Sequence, residues 1–309
     1  MDLRKTITKE QVRVAEKLIN RGLLGYQPFV FSDDLETGAG HEFLHGGEYS
    51  GLVYWRQKIR PTPEENPTLN RWLIEPSHKD SFSESNSRLR GLYDSFVDQI
   101  SGLLGDISKL TFAEVGCNTG YFPISFCRRG AKSAVGFDRE NYGDSISLLN
   151  KILGTDAQFI HAGYDGRTHS VLTAGEYDVV LSIAVLCHLS DTLQHLACLG
   201  SMARKAIFVW TPVSDEDDYC IRFGEPNKYY TTDKFPLCFD NIVRPSRKLL
   251  MKSLELMGFT EIHQLKNPPG AMPDVFFDCH AATLAIRPPA AEPPPSAQSP
   301  AMFNEGTAL

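Results

Sequence analysis

Residues 111–138 read TFAEVGCNTGYFPISFCRRGAKSAVGFD, and their punctuation decides the fold. Leu110 to Val115 reads as a short buried strand. It stops at Gly116-Cys117-Asn118-Thr119-Gly120. A helix is predicted from Tyr121 to Arg129, with its end marked by Gly130. A second apolar strand, Ser133 to Phe137, closes on Asp138. Strand, glycine turn, helix, strand and acid, in that order, make one half of a doubly wound sheet.

The residues at the turn limit its chemistry. Gly116 and Gly120 permit a tight bend and a close approach of ligand to main-chain N–H groups. The helix that follows is expected to aim its free N–H groups at the same ligand. Asp138, at the carboxyl end of the second strand, is placed to accept two ribose hydroxyls. A dinucleotide fingerprint requires G-x-G-x-x-G, so that pyrophosphate can rest on the helix. Position 118 is Asn, which leaves G-x-x-x-G preceded by the acid Glu114. A phosphate-free cofactor with a ribose and a cationic amino-acid end suits these residues better.

Glu114, Gly116, Gly120 and Phe122, as E-x-G-x-x-x-G-x-F, resemble motif I of the class I S-adenosylmethionine methyltransferases. The resemblance runs from about Arg88 to Arg287. It implies an α/β fold, a doubly wound, mostly parallel seven-stranded sheet, with S-adenosyl-L-methionine as cofactor. It assigns Glu114, Gly116, Asn118, Gly120, Asp138, Asp165 and Ile183 to that cofactor. In the family an acid often follows the third strand, here Ala157 to His161, and bonds the adenine amine. Ala162-Gly163-Tyr164 stands there instead, so main-chain groups, Asp165 or stacking on Tyr164 remain open for that contact, and Asp165-Gly166 is equally well a plain turn.

Tyr177 to Leu189, YDVVLSIAVLCHL, resembles motif IV, whose strand end lines the transfer site. Ligands of open α/β sheets bind at the carboxyl ends of strands. That places His188 near the reaction with an imidazole suited to general-base work, the alternative being a histidine that only holds its loop. The fifth strand, Lys205 to Thr211, leads into an insertion at 213–245 with an acidic run, Asp215 to Asp218, and many aromatics. The segment Gly25 to Ser81 is also irregular and aromatic. Trp55, Tyr229 and Tyr230 are the residues expected to line an acceptor pocket built where the two segments meet.

Three boundaries follow. Residues 1–87 form a cap that begins with a helix over Ile7 to Leu23. Residues 88–287 form the methyltransferase domain, starting with a helix capped by Ser87; Arg88 or Arg90 on it is available to a cofactor carboxylate or else solvated. Residues 288–309 form a Pro/Ala-rich tail expected to be disordered. His41-Glu42-Phe43-Leu44-His45 matches the zinc-protease pattern H-E-x-x-H, yet glycines on both sides leave barely one helical turn to align the imidazoles. No metal is therefore expected.

The composition narrows the partners. The formal net charge of −7 gives no support to a broad nucleic-acid-binding face. No apolar run reaches membrane-spanning length and no signal segment opens the chain. Seven cysteines without a C-x-x-C pair suit a reducing, cytoplasmic setting. The expected function is direct methyl transfer to a small-molecule acceptor. An RNA methyltransferase, a non-catalytic cofactor-binding scaffold and a zinc hydrolase are the alternatives. Oligomeric state is not legible.

Overall fold

The unit at 111–138 sets the order of everything around it. In the computed structural model, which describes residues 1–25, 27–33, 35–38, 79–162, 176–189, 191–223, 243–271 and 277–289 (residues 20, 79–82 and 85 by backbone alone), it folds as strand β3 (Thr111–Val115), helix α3 (Tyr121–Arg128) and strand β4 (Ser133–Asp138). Before it come α1 (Lys9–Asn20), β1 (Val30–Ser32), β2 (Leu35–Glu36) and α2 (Lys79–Leu104). After it come α4 (Gly143–Leu153), β5 (Gln158–His161), β6 (Tyr177–Ile183), α5 (Thr192–Met202) and β7 (Ala203–Pro212). The chain continues through β8 (Ile221–Phe223), β9 (Val243–Pro245), α6 (Arg247–Leu256), β10 (Glu261–Gln264) and β11 (His280–Ile286).

Seven strands form one sheet in the order β10-β11-β7-β6-β3-β4-β5. From β5 to β7 all neighbours are parallel, while β11 runs antiparallel to both β7 and β10. The order reverses between β3 and β6, so the crevice that a doubly wound sheet offers to ligands lies at their carboxyl ends. Alternate residues of β3 feed the two faces: Phe112 packs with Phe96, Phe126 and Phe208 on one, and Ala113 and Val115 with Leu196, Leu199 and Leu254 on the other. The Phe112 and Phe126 rings stack with centroids 4.0 Å apart. Apolar side chains on both faces are what a central parallel strand requires.

The N-terminal segment belongs to the same core. Met1, Leu3, Leu18, Ile19, Phe29 and Phe31 are buried together with Leu92, Phe96 and Phe122. α1 opens with a reciprocal cap between Thr8 and Gln11. The Ser145 hydroxyl of α4 donates to the Leu23 carbonyl, tying the segment to the domain.

Two expectations shift. α2 begins at Lys79 rather than at Ser87. Its first turns, KDSFSESN, are poor in strong helix formers, which hid them from a propensity reading. Tertiary contacts compensate: Ser83 donates to Glu36, and the Asn86 amide donates to the Thr37 carbonyl at 2.8 Å. The insertion is not wholly irregular, because β8 and β9 pair antiparallel at its two ends. Residues 39–78, 224–242 and 290–309 lie outside the described residues, and with them the motif at His41 and His45, the aromatic centres of both segments and the tail.

Candidate cofactor site

The turn between β3 and α3 closes on itself. The Gly116 and Cys117 N–H groups donate to the Phe137 carbonyl at 2.8 and 3.0 Å. The Asn118 N–H donates to Asp138 Oδ2 at 2.8 Å, and the Thr119 N–H to Asn118 Oδ1 at 2.8 Å. The Gly120 N–H donates to the Cys117 carbonyl at 2.9 Å, and the Tyr121 N–H to Gln27 Oε1 at 2.9 Å. Pro123 has no N–H to offer. The expectation that the turn presents N–H donors to a ligand is therefore narrowed: from Gly116 to Tyr121 every N–H is engaged within the protein. A site of this kind has little to hold a pyrophosphate.

The conformation needs these residue types. Gly116 has φ +78° and Gly120 φ +82°, while Asn118 adopts φ +49°, which Asn tolerates better than most residues. A Cβ on Gly116 would also run into Val185 Cγ2, so the loop after β6 rests directly on the turn. Ala184 in that loop has φ +55°, and its N–H donates to the Trp210 carbonyl at 2.8 Å.

Two acids face this turn. Glu114 is 1% exposed, and its Oε2 has no hydrogen-bond partner among the described residues. Burial pushes its carboxyl well above the usual range, and the Asp138 charge pushes it further. Asp138, at the end of β4, accepts from the Asn118 N–H through Oδ2 and from the Glu140 N–H through Oδ1 at 3.0 Å. Burial raises its pKa, and those two N–H bonds pull it back. Each Asp138 oxygen accepts one bond there and keeps a second acceptor site. Tyr142, which opens α4, receives the Asn118 side-chain amide at 3.3 Å, and burial with the nearby Asp138 raises its hydroxyl pKa.

The other expected residues divide. Ile183 is buried at the carboxyl end of β6, opposite Trp210. His188 is exposed at the end of the short 3-10 turn Leu186–His188, with its N–H donating to Val185. Arg88 pairs with Glu84 on the surface, whereas Arg90 is mostly buried and lies 3.9 Å from Glu36. Asp165, Trp55, Tyr229 and Tyr230 lie outside the described residues. Gln27 and Tyr142 were not singled out by the sequence. No local signal marks Gln27, which bonds residues about ninety positions away; Tyr142 could have been found from its place just beyond Asp138.

Residues 85–224 match the family model of a methyltransferase domain. With the sheet order above, the match supports reading this region as a methyltransferase domain. The tRNA U34 carboxymethyltransferase of Campylobacter jejuni subsp. doylei is 25% identical over 198 residues, covering 62% of this chain and 64% of that protein. Its namesake from Mannheimia succiniciproducens is 28% identical over 244 residues, covering 74% of this chain and 66% of that protein. The chain thus spans just under two thirds of the length of these relatives. Among solved structures, the N-terminal domain of EvdMO1 with SAH bound superposes with a TM-score of 0.50 at 16% identity, over 71% of this chain and 87% of that one. At that identity the likeness concerns the fold.

Proposed function

We propose that this chain binds S-adenosyl-L-methionine at the β3–α3 turn and transfers its methyl group to a small, partly apolar acceptor. The observation that carries the reading is the unpartnered buried carboxyl of Glu114 beside Asp138, at a turn whose N–H donors are already used. Such a site suits a cation and a ribose and does not suit phosphate. Glu114 would hold the ammonium end by way of its charge, Asp138 the ribose hydroxyls through its remaining lone pairs, and Ile183 the apolar side of the ligand. Tyr142, beside Asp138, would border the ribose. When bound, the cofactor supplies an electrophilic methyl on a sulfonium.

The protein's own contribution is alignment and exclusion of water. His188, exposed beyond the strand end, is assigned to proton removal where the acceptor needs it. Trp55, Tyr229 and Tyr230 are assigned to the acceptor side and residues 213–245 to its cover. The reading places the enzyme in the cytoplasm, in keeping with the buried thiols of Cys117, Cys187 and Cys198.

A second reading, an RNA acceptor, is supported by the names of the curated relatives, which act on tRNA U34 and transfer a carboxymethyl group. The net charge of −7 favours the small acceptor. Incubation with labelled S-adenosylmethionine and separate pools of small metabolites and unmodified tRNA, followed by mass spectrometry of the products, tests both. Label in a small metabolite supports the first reading. Label confined to tRNA replaces it with the second.

A further inference from the structure

Gln27 reaches the cofactor turn from outside the domain match, which begins at residue 85. Its side chain is 4% exposed, and its three hydrogen bonds among the described residues go to the turn. The amide Nε2 donates to the Cys117 carbonyl at 3.1 Å. Oε1 accepts from the Thr119 hydroxyl at 2.8 Å and from the Tyr121 N–H at 2.9 Å. Thr119 and Tyr121 flank Gly120, which as a glycine has no side chain to cap α3. Gln27 thus serves as an external cap that also grips the preceding residues. It is itself fixed, since its carbonyl accepts from the Thr37 hydroxyl at 2.8 Å.

We infer that Gln27 is a positioning residue for the cofactor: it holds the turn between Gly116 and Tyr121 in its ligand-binding form, so that cofactor affinity depends on the N-terminal segment. Two physical effects support this. Asn118 holds a positive φ that costs energy for a residue other than glycine, between two glycines that adopt it freely, and such a conformation persists only when its surroundings over-determine it. Gln27 also occupies the first N–H of α3, where an anion would otherwise settle. The inference rests on reading the turn as the cofactor site.

The test uses the full chain, S-adenosylhomocysteine as the calorimetric probe and thermal melting as a parallel measurement. Four proteins are compared: the native chain, Gln27→Ala, Gln27→Glu and Leu18→Ala. Leu18 is buried in α1 and packs the same segment, but it takes no part in the turn. Gln27→Ala is expected to weaken binding by at least about tenfold. Leu18→Ala, with a comparable fall in melting temperature, should stay within about twofold of native.

Gln27→Glu gives a signature that plain destabilisation cannot. An ionised carboxylate accepts from Thr119 and Tyr121 but cannot donate to the Cys117 carbonyl. A neutral carboxyl does both, as the amide does. The ratio of its dissociation constant to the native one should therefore fall as pH is lowered from about 8 to about 6. The native chain, run over the same pH range, supplies the Glu114 and Asp138 titrations against which that ratio is read.

Affinity of Gln27→Ala within twofold of native, equal losses in Gln27→Ala and Leu18→Ala, or a Gln27→Glu ratio flat with pH would each overturn the inference. If Gln27→Ala does not fold, the Gln27→Glu ratio decides alone. A native chain that does not bind the probe contradicts the cofactor reading itself, which separates the two failures.

Discussion

Two neighbouring strand ends bury polar side chains and treat them differently. On β6, Ser182 and His195 of α5 are both fully buried, and the Ser182 hydroxyl lies 2.9 Å from His195 Nε2. Burial lowers the imidazole pKa to about 4, so the ring is neutral near physiological pH. On β3, one strand away, Glu114 is as deeply buried but leaves Oε2 without a partner, next to a second acid. The first arrangement is a core contact between neutral groups. The second costs about 1–3 kcal/mol in the ligand-free protein, and such a cost concentrates where a ligand completes the site. Depth of burial alone therefore does not separate structural from functional polar groups. What separates these two is charge: a neutral imidazole meets a hydroxyl on β6, whereas an ionisable carboxyl faces a second acid on β3.

Three experiments probe that contrast. The largest effect is expected at Asp138, whose carboxylate both holds the Asn118 N–H and offers its remaining lone pairs to the ligand. Asp138→Ala should weaken S-adenosylhomocysteine binding about a hundredfold by calorimetry, as loss of charge-assisted hydrogen bonds would. Undiminished affinity would remove the ribose contact from the account.

The second effect belongs to the β6 side. The unfolded chain protonates His195 near its ordinary pKa of 6.5 and the folded chain only near about 4. Native stability from this group is therefore present above pH 6.5 and is lost as pH falls toward 4, by about 3 kcal/mol at most. His195→Gln should flatten that part of the stability curve in urea unfolding at a series of pH values. An acid slope identical to native would show that the imidazole is not buried as described.

The smallest effect has the opposite sign. The folded-state pKa of Glu114 lies above the unfolded value, so its contribution is present below about pH 4.5 and is lost as pH rises through the raised pKa. Glu114→Gln keeps the shape and removes the charge. Its melting temperature should gain on native as pH increases, by the equivalent of about 1–2 kcal/mol, while its affinity for the cationic ligand falls. A variant less stable than native at every pH would mean that Glu114 is already satisfied in the core.

The sheet was legible because its central strands are short apolar runs broken by glycine, and a parallel strand buried on both faces has few other ways to read. Glu114, Gly116, Asn118, Gly120 and Asp138 were singled out through the family resemblance, within 25 residues of one another, and the structure gathers them at the carboxyl ends of β3 and β4. The start of α2 was missed because helix propensity over 79–86 is poor and contacts with Glu36 and Thr37 override it. Gln27 was missed because its partners are distant in sequence and an isolated Gln carries no pattern. The engagement of the turn's N–H groups was also illegible: glycines show that a tight turn is allowed, not which way its donors point.

The most direct test of the central claim is calorimetric titration of the native chain with S-adenosylmethionine in buffers of different ionisation enthalpy, alongside the same titration with a nicotinamide dinucleotide. A cationic ligand beside Glu114 favours the ionised carboxylate and lowers its pKa, so binding must expel protons wherever the free protein holds that acid neutral. The account predicts S-adenosylmethionine binding with a heat that varies with the buffer in the sense of proton release, and no binding of the dinucleotide. Dinucleotide binding that competes with S-adenosylmethionine, or S-adenosylmethionine binding with the same heat in every buffer, would contradict it.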